Sequence, residues 1–240
     1  MSRQITTNQN IMKKTLVPAI ILLMLTAMYQ PAVAQYKSVE LGIKLAPNMG
    51  WLKSNQENYE SSGIRPGIAW GMVSDFYFAR NYAFSSGFNF NFHGGQLTYP
   101  DVLNYDAGKV ERRYRLKYIE VPATIKMKTN EMNGYSIYGL VGVGISVRLN
   151  ASARDVITIP GKIVDKSGFT KISDETHLMK MSMIIGAGVD IPLDNSSFIT
   201  VGVHFNNGFT DILKGKNKVN PALGHEGIPN FIELAIALMF

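Results

Sequence analysis

The chain has no cysteine, which excludes a disulfide scaffold, a thiolate metal site and a lipoprotein anchor cysteine. Histidine is nearly as scarce. His93, His177, His204 and His225 are the four present, and no two stand at metal-ligand spacing. Net charge is also small. The formal +6 falls to +3 once the leader's Arg3, Lys13 and Lys14 are set aside. No basic stripe is interleaved with aromatics, so nucleic acid is not an expected partner. A mean hydropathy of +0.02 carries no overt membrane signal, as expected where each apolar residue is followed by a small or polar one.

The start of the chain reads as a targeting segment. Lys13 and Lys14 precede an apolar run from Leu16 to Met28, followed by Ala32-Val33-Ala34. A positive start, an apolar core and an A-x-A site make a secretory signal peptide, cut before Gln35. Met12 is the better initiator. The alternative, a single membrane anchor, is disfavoured because the run is short and Pro18 and Pro31 shorten it further. The expected division is residues 1–34 as upstream residues and leader, and 35–240 as one domain.

What is abundant is glycine, 22 residues, and its placement is patterned. In Tyr135–Leu149 the odd positions are Tyr135, Ile137, Gly139, Val141, Val143, Ile145, Val147 and Leu149. The even positions are Ser136, Tyr138, Leu140, Gly142, Gly144, Ser146 and Arg148. A two-residue alternation this long belongs to a β-strand with unlike faces, one large and apolar, one mostly small. The same pattern recurs around Val39–Ala46, Gly67–Phe78, Phe84–His93, Met179–Ile191, Ile199–Asn206 and Ile232–Phe240. The remaining strand, Tyr114–Lys128, predicts a phase slip. Tyr114, Leu116 and Tyr118 share one phase, whereas Ile119, Val121, Ala123, Ile125 and Met127 share the other. Such a slip marks a bulge or the exit from a membrane, and Pro122 supports a local irregularity.

These are eight strands. Their connections alternate between long (about 48–65, 94–113, 151–177 and 209–229) and short (about 79–83, 129–134 and 193–197). An antiparallel up-and-down chain then has all short turns at one end and all long loops at the other, the asymmetry of a transmembrane β-barrel. Size decides which face points inward. An eight-stranded barrel has an interior just wide enough for side chains. Glycine, serine and alanine fit there; Phe84, Phe88, Phe90 and Phe92 do not. The expected fold is an all-β, eight-stranded antiparallel transmembrane barrel with its apolar face on lipid, short periplasmic turns and long extracellular loops.

Charges on the small face would then lie in the lumen. They are Glu40, Lys44, Asp75, Glu120, Lys126, Arg148, Lys180, Asp190 and Glu233. Lone ions in a narrow lumen are costly, so a set of structural ion pairs plugging the barrel is preferred over a polar path for a small solute. Glu120, Arg148, Lys180 and Glu233 are expected toward the extracellular half, and Asp75, Lys126 and Asp190 toward the periplasmic end with Glu40 nearby. Outside the lumen, the segment 101–117 ends in Arg112, Arg113, Arg115 and Lys117. These are a candidate contact for lipopolysaccharide phosphates or a protein partner; the competing reading is a solvated loop that extends the fourth strand.

The chain resembles the PorT-like outer-membrane β-barrel family of the Bacteroidetes. The resemblance rests on Tyr118-Ile119-Glu120-Val121-Pro122 followed by Ile125-Lys126-Met127-Lys128-Thr129. Tyr138-Gly139-Leu140-Val141-Gly142-Val143-Gly144 is similar to the family's following glycine-rich strand, and Gly42-Ile43-Lys44-Leu45-Ala46-Pro47-Asn48 to its opening one. Ala46 and Pro47 depart from that opening pattern. The resemblance implies an outer-membrane barrel with no catalytic residues and no cofactor. It also makes a link to type IX protein secretion and gliding a candidate role, with secretion-system proteins as possible partners. Phe240, on the lipid-facing phase of the last strand, resembles the terminal aromatic that such barrels present to the barrel assembly machinery. The function expected is a non-enzymatic structural or partner-binding envelope component. The alternatives are a small-solute porin and a barrel enzyme, for which His93, His177, Asp101 and Asp211 beside the long loops are the candidate groups.

Overall fold

The computed structural model describes residues 38–103, 106–159, 162–215 and 224–240. The expected leader, residues 1–34, lies outside the described residues. Eleven strands form one antiparallel sheet: β1 (Val39–Lys53), β2 (Glu60–Gly63), β3 (Arg65–Ala79), β4 (Tyr82–Leu103), β5 (Asp106–Lys128), β6 (Ser136–Ile159), β7 (Lys162–Lys166), β8 (Thr170–Lys171), β9 (Met179–Pro192), β10 (Phe198–Gly208) and β11 (Ile228–Met239). Eight of them make a closed ring in the order β1-β3-β4-β5-β6-β9-β10-β11, and β11 returns to β1. The closing seam runs from Gly42↔Met239 to Lys53↔Ile228. It is completed by Phe240, whose N–H donates to the Leu41 carbonyl at 2.8 Å. Closure leaves the eight ring strands no open seam to lipid, which could not satisfy one. β2, β7 and β8 are short additions at the loop end, on β4 and β6.

The barrel is inside-out relative to a soluble one. Along β1, Leu41, Ile43, Leu45 and Met49 are exposed while Gly42, Lys44, Ala46 and Asn48 are buried. Ile43 is 61% exposed beside a Lys44 that is 7% exposed. The short turns, at Arg80–Asn81, 129–135 and 193–197, share one end, which by the usual asymmetry is periplasmic.

The last of these turns is built on one carboxylate. Asp194 accepts from the N–H groups of Ser196 and Ser197 and from both serine hydroxyls, at 2.6 to 3.0 Å. Those bonds, the Ser197 hydroxyl foremost, hold its carboxyl well below the usual aspartate pKa. A depressed folded pKa gives stability that is complete above the unfolded value, about 3.9, and is lost as pH falls through the folded one. Amide protection at Ser196 and Ser197 should therefore fall only well below that pH in the parent. In Asp194→Ala it should be weak at every pH. Equal protection in the two proteins would refute this account of the turn.

At the other end the strands outrun the membrane. Crossing takes about 9–11 residues, yet β4, β5 and β6 have 22, 23 and 24. The segment expected as a loop at 94–113 is thus the upper part of the β4–β5 hairpin, with register kept from Gly94↔Arg115 to Leu103↔Asp106. Of the two readings of the phase change in β5, a bulge and the exit from the membrane, the burial pattern fits the second. Tyr114, Leu116, Tyr118, Glu120, Thr124 and Lys126 are all buried, on one unbroken phase. What changes at Tyr118 is the environment outside. Below it the strand shows apolar residues to lipid; above it Lys117 and Arg115 face water and apolar residues fill the inside. The slip belongs to β6, where Leu149 is the extra residue between Lys117↔Asn150 and Tyr118↔Arg148. Ala151 and Ala153 face inward after it. Pro122 does mark an irregularity. β4–β5 pairing skips from Ser85↔Thr124 to Asn89↔Glu120, Gly87 takes φ +139°, and the Ser86 hydroxyl caps the Pro122 carbonyl at 2.8 Å.

Candidate functional site

Two regions gather chemistry: the lumen and the outer wall just above the lipid-facing band. In the lumen, Lys126 of β5 reaches Asp75 of β3 at 2.9 Å and Asp190 of β9 at 3.3 Å, each time across an intervening strand. The Thr200 hydroxyl donates to Asp190 at 2.7 Å. The Lys126 ammonium lies 4.7 Å from the centre of the Tyr138 ring. Tyr138 in turn hydrogen-bonds His204 Nε2 at 3.1 Å, again across a strand. His204 Nδ1 meets Glu233 at 3.1 Å, and Glu233 accepts from Lys44 at 2.8 Å. These eight groups thus form one connected network from β1 to β11 through the barrel. Sequence parity marked Tyr138 and His204 as inward without marking them as functional. The available signal was a large inward side chain flanked by glycines on neighbouring strands.

Glu120 stands higher, accepting from Ser146 at 3.1 Å and from Asn206 across the lumen at 3.2 Å. Lys180 is 1% exposed and lies 5.2 Å from both the Tyr118 and Phe231 rings. Its ammonium has no hydrogen-bond partner among the described residues, and the two ring faces take the charge instead. Glu40 lies opposite Asp75 in register and beside Tyr77, and makes no ion pair among the described residues. Arg148 departs from the expected network. Its guanidinium turns upward to Thr176 Oγ1 at 2.6 Å and the His177 carbonyl at 3.1 Å, so it clamps a loop rather than pairing with a lumen acid. A cavity of about 70 Å³ remains in the lumen, lined in part by Lys44, Asp75, Glu120, Lys126 and His204.

Above these polar layers lies an apolar cap. Leu97, Tyr99, Tyr114, Leu116 and Tyr118 from β4 and β5 pack with Ile172, Ile212 and Leu213 from the loops. The loops are tied down: Glu226 accepts from Asn55 at 2.8 and 3.2 Å, and Asp211 accepts from the N–H groups of Leu213 and Gly227 at 2.9 and 2.8 Å. Burial raises the Asp211 pKa above the usual aspartate value.

Of the groups considered for nucleophilic catalysis, His177 and Asp211 come near each other, the His177 N–H donating to the Ile212 carbonyl at 2.8 Å. His93 is buried between the Tyr118 and Phe231 rings, His177 is exposed, and Asp211 is engaged by backbone. The Asp101 side chain lies outside the described residues. No group of three metal-binding side chains occurs among the described residues.

On the outer wall the four basic residues at 112–117 divide by strand parity. Arg112 is a correction to the expected set. It is on the inward phase, paired with Asp155 at 3.2 Å and Glu175 at 2.8 Å. Arg113, Arg115 and Lys117 point out. Two residues that sequence reasoning missed join them: Arg154, the register partner of Arg113, and Arg65. Arg65 ends the expected loop at 48–65 and Arg154 lies in the expected connection at 151–177, and strand pairing brings them together. Together these side chains line a concavity of about 480 Å³ with Phe92 and Phe169. Arg115 stacks on Phe169 at 3.7 Å from its ring centre. Burial and then the charge of Arg113 lower the Arg65 pKa.

Residues 29–214 match the family described as the outer membrane protein beta-barrel domain. No curated protein matches the chain. Among solved structures, Neisserial surface protein A is 12% identical with a TM-score of 0.45, covering 86% of this chain and 98% of its own. The outer membrane protein OprG from Pseudomonas aeruginosa is 13% identical with a TM-score of 0.44, covering 84% and 94%. Ail, the attachment invasion locus protein of Yersinia pestis, is 13% identical with a TM-score of 0.39, covering 84% and 97%. With most of its length matched by the family and a closed barrel that shows its apolar face outward, the chain belongs to the outer membrane protein beta-barrel domain family and resides in the outer membrane of a Gram-negative bacterium.

Proposed function

We propose that this chain is a non-enzymatic envelope component, closed to solutes, that works through its extracellular extension and rim. The observation that carries the reading is that lumen side chains bond across the barrel instead of only to adjacent strands. Lys126 to Asp75 and Asp190 and Tyr138 to His204 each skip one strand, and Asn206 to Glu120 skips two. A solute path would have to break these contacts and then pass the cap of Tyr99, Tyr114 and Leu116. The cavity of about 70 Å³ holds a few waters, well short of a continuous channel.

The closed reading is tested by single-channel recording of the full barrel in planar bilayers. Brief noise without steady current steps is expected; a stable open conductance overturns the reading in favour of a small-solute porin. A role in protein secretion is supported only by the resemblance of Tyr118–Thr129 to PorT-like barrels. Deletion of the gene separates the roles. Loss of secreted and surface-assembled proteins supports the secretion role, and intact secretion removes it. A defect in small-solute uptake would return the porin.

A further inference from the structure

The concavity on the outer wall has a charge balance that the protein does not itself resolve. Arg65, Arg113, Arg115, Lys117 and Arg154 line it, and the acid paired within the group is Glu111, bound to Arg113 at 2.7 Å. Arg113 and Arg154 lie directly opposite each other on adjacent strands. Like charges in that position oppose strand pairing. Arg154 Nε is buried and has no hydrogen-bond partner among the described residues. Below this cluster the wall becomes apolar within one residue step. Ile119 is the next outward residue after Lys117 on β5, and Phe92 and Ile68 are register partners on β4 and β3. The cluster therefore stands where acyl chains end and headgroups begin.

Two aromatic rings organise the cations. Phe169, contributed by the segment leading into β8, lies under the Arg115 guanidinium. Phe92 lies 5.6 Å from the Lys117 ammonium. A guanidinium stacked on a ring keeps its N–H edge free for an anion, and arginine forks match phosphate oxygens in pairs. Surface cations serving only solubility would be spread apart. These are concentrated on one face, at one depth.

We propose that Arg65, Arg113, Arg115, Lys117 and Arg154 form a binding site for a phosphate-bearing glycolipid of the outer leaflet, with its phosphates on the cluster and its acyl chains along Ile68, Phe92 and Ile119. The site requires the outer-membrane location but not the closed lumen, so a conducting barrel would leave it standing.

The test uses the full barrel in zwitterionic detergent and three probes: diphosphoryl lipid A, the same lipid stripped of phosphate, and inorganic phosphate. Native mass spectrometry is expected to show retention of diphosphoryl lipid A and about tenfold weaker retention of the stripped lipid, the scale of one lost charge-assisted contact. Free phosphate should not compete at equal concentration. Arg115→Gln and Arg154→Gln should each weaken lipid retention about tenfold. Arg154→Gln should also leave the lipid-free barrel at least as resistant to urea as the parent, because a like-charge contact is removed. A site of purely structural value would show the opposite, lower resistance with lipid retention unchanged. Equal retention of both lipids, unchanged retention in the variants, or displacement of the lipid by a co-purifying acidic protein would each overturn the proposal.

Discussion

Replacing Lys126 by Met is expected to lower the stability of the folded barrel by about 3–5 kcal/mol, the usual cost of removing one partner from a buried ionic group. The lysine is shared by two acids, with Asp75 at 2.9 Å and Asp190 at 3.3 Å. Asp75 is fully buried and Asp190 nearly so. Without the ammonium, two carboxylates face each other in a lumen that lets in little water. Methionine is the informative replacement, since its unbranched side chain keeps most of the lysine's volume while removing the ammonium that faces the Tyr138 and Phe198 rings. What is lost is then mainly charge. Equilibrium urea unfolding of the refolded barrel in micelles measures it.

The companion variant guards against a trivial explanation. Asp75→Asn, Lys126→Met and Asp190→Asn together remove all three charges, and the combination should regain most of the loss, because neutral groups need no counterion. If the triple variant is as unstable as the single one, packing rather than charge pairing explains the effect. If Lys126→Met costs less than about 1 kcal/mol, in the range of an exposed pair, the trio is hydrated and the cross-lumen network is not holding the staves together.

The staves themselves were legible because a lipid-facing strand enforces period two with a size difference, and every one of the eight carries it. Ile43 against Lys44 is enough to orient β1. What misled was the extracellular extension. When a strand leaves lipid for water, the outer face turns polar and the inner face apolar while the backbone phase stays constant. Tyr118 followed by Ile119 therefore reads as a slip in β5, although both residues sit where an unbroken strand puts them. The real slip, at Leu149, is silent for the converse reason. Val147, Leu149, Ala151 and Ala153 stay apolar in the odd positions, and alanine suits either face, so nothing in the letters shows that the phase has reversed. Parity placed Lys126, Asp75 and Asp190 in the lumen, but which acid a lysine meets depends on strand stagger. Stagger is set by ring closure and is not written in any local stretch. The same limit hid the outer cluster, since Arg65 and Arg154 join Arg113 only through pairing with distant strands.

The glycines permit a second test, aimed at why the inner face is small. Gly188 and Gly202 lie opposite each other on β9 and β10, and Tyr138 on β6 pairs with Gly188. A Cβ on Gly188 would come within 2.6 Å of the Tyr138 ring, and one on Gly202 would land on its hydroxyl. The two glycines thus form a hollow in which the tyrosine lies, aimed at His204. Gly202→Ala should force the ring aside and break the Tyr138–His204 bond, costing about 1–3 kcal/mol, as overpacked interiors do. In a Tyr138→Ala background the same substitution should cost less. The Ala187 carbonyl, 2.8 Å from the added carbon, supplies the residue of strain. The double-mutant cycle should accordingly give a coupling of about 1 kcal/mol or more, in the range of contacting residues. Additive costs would mean that the ring does not fill the hollow, and that glycine is required here only for the approach of the strand backbones. A large coupling makes the small face a mould for one tyrosine, and ties the closed lumen to residues that have no side chain of their own.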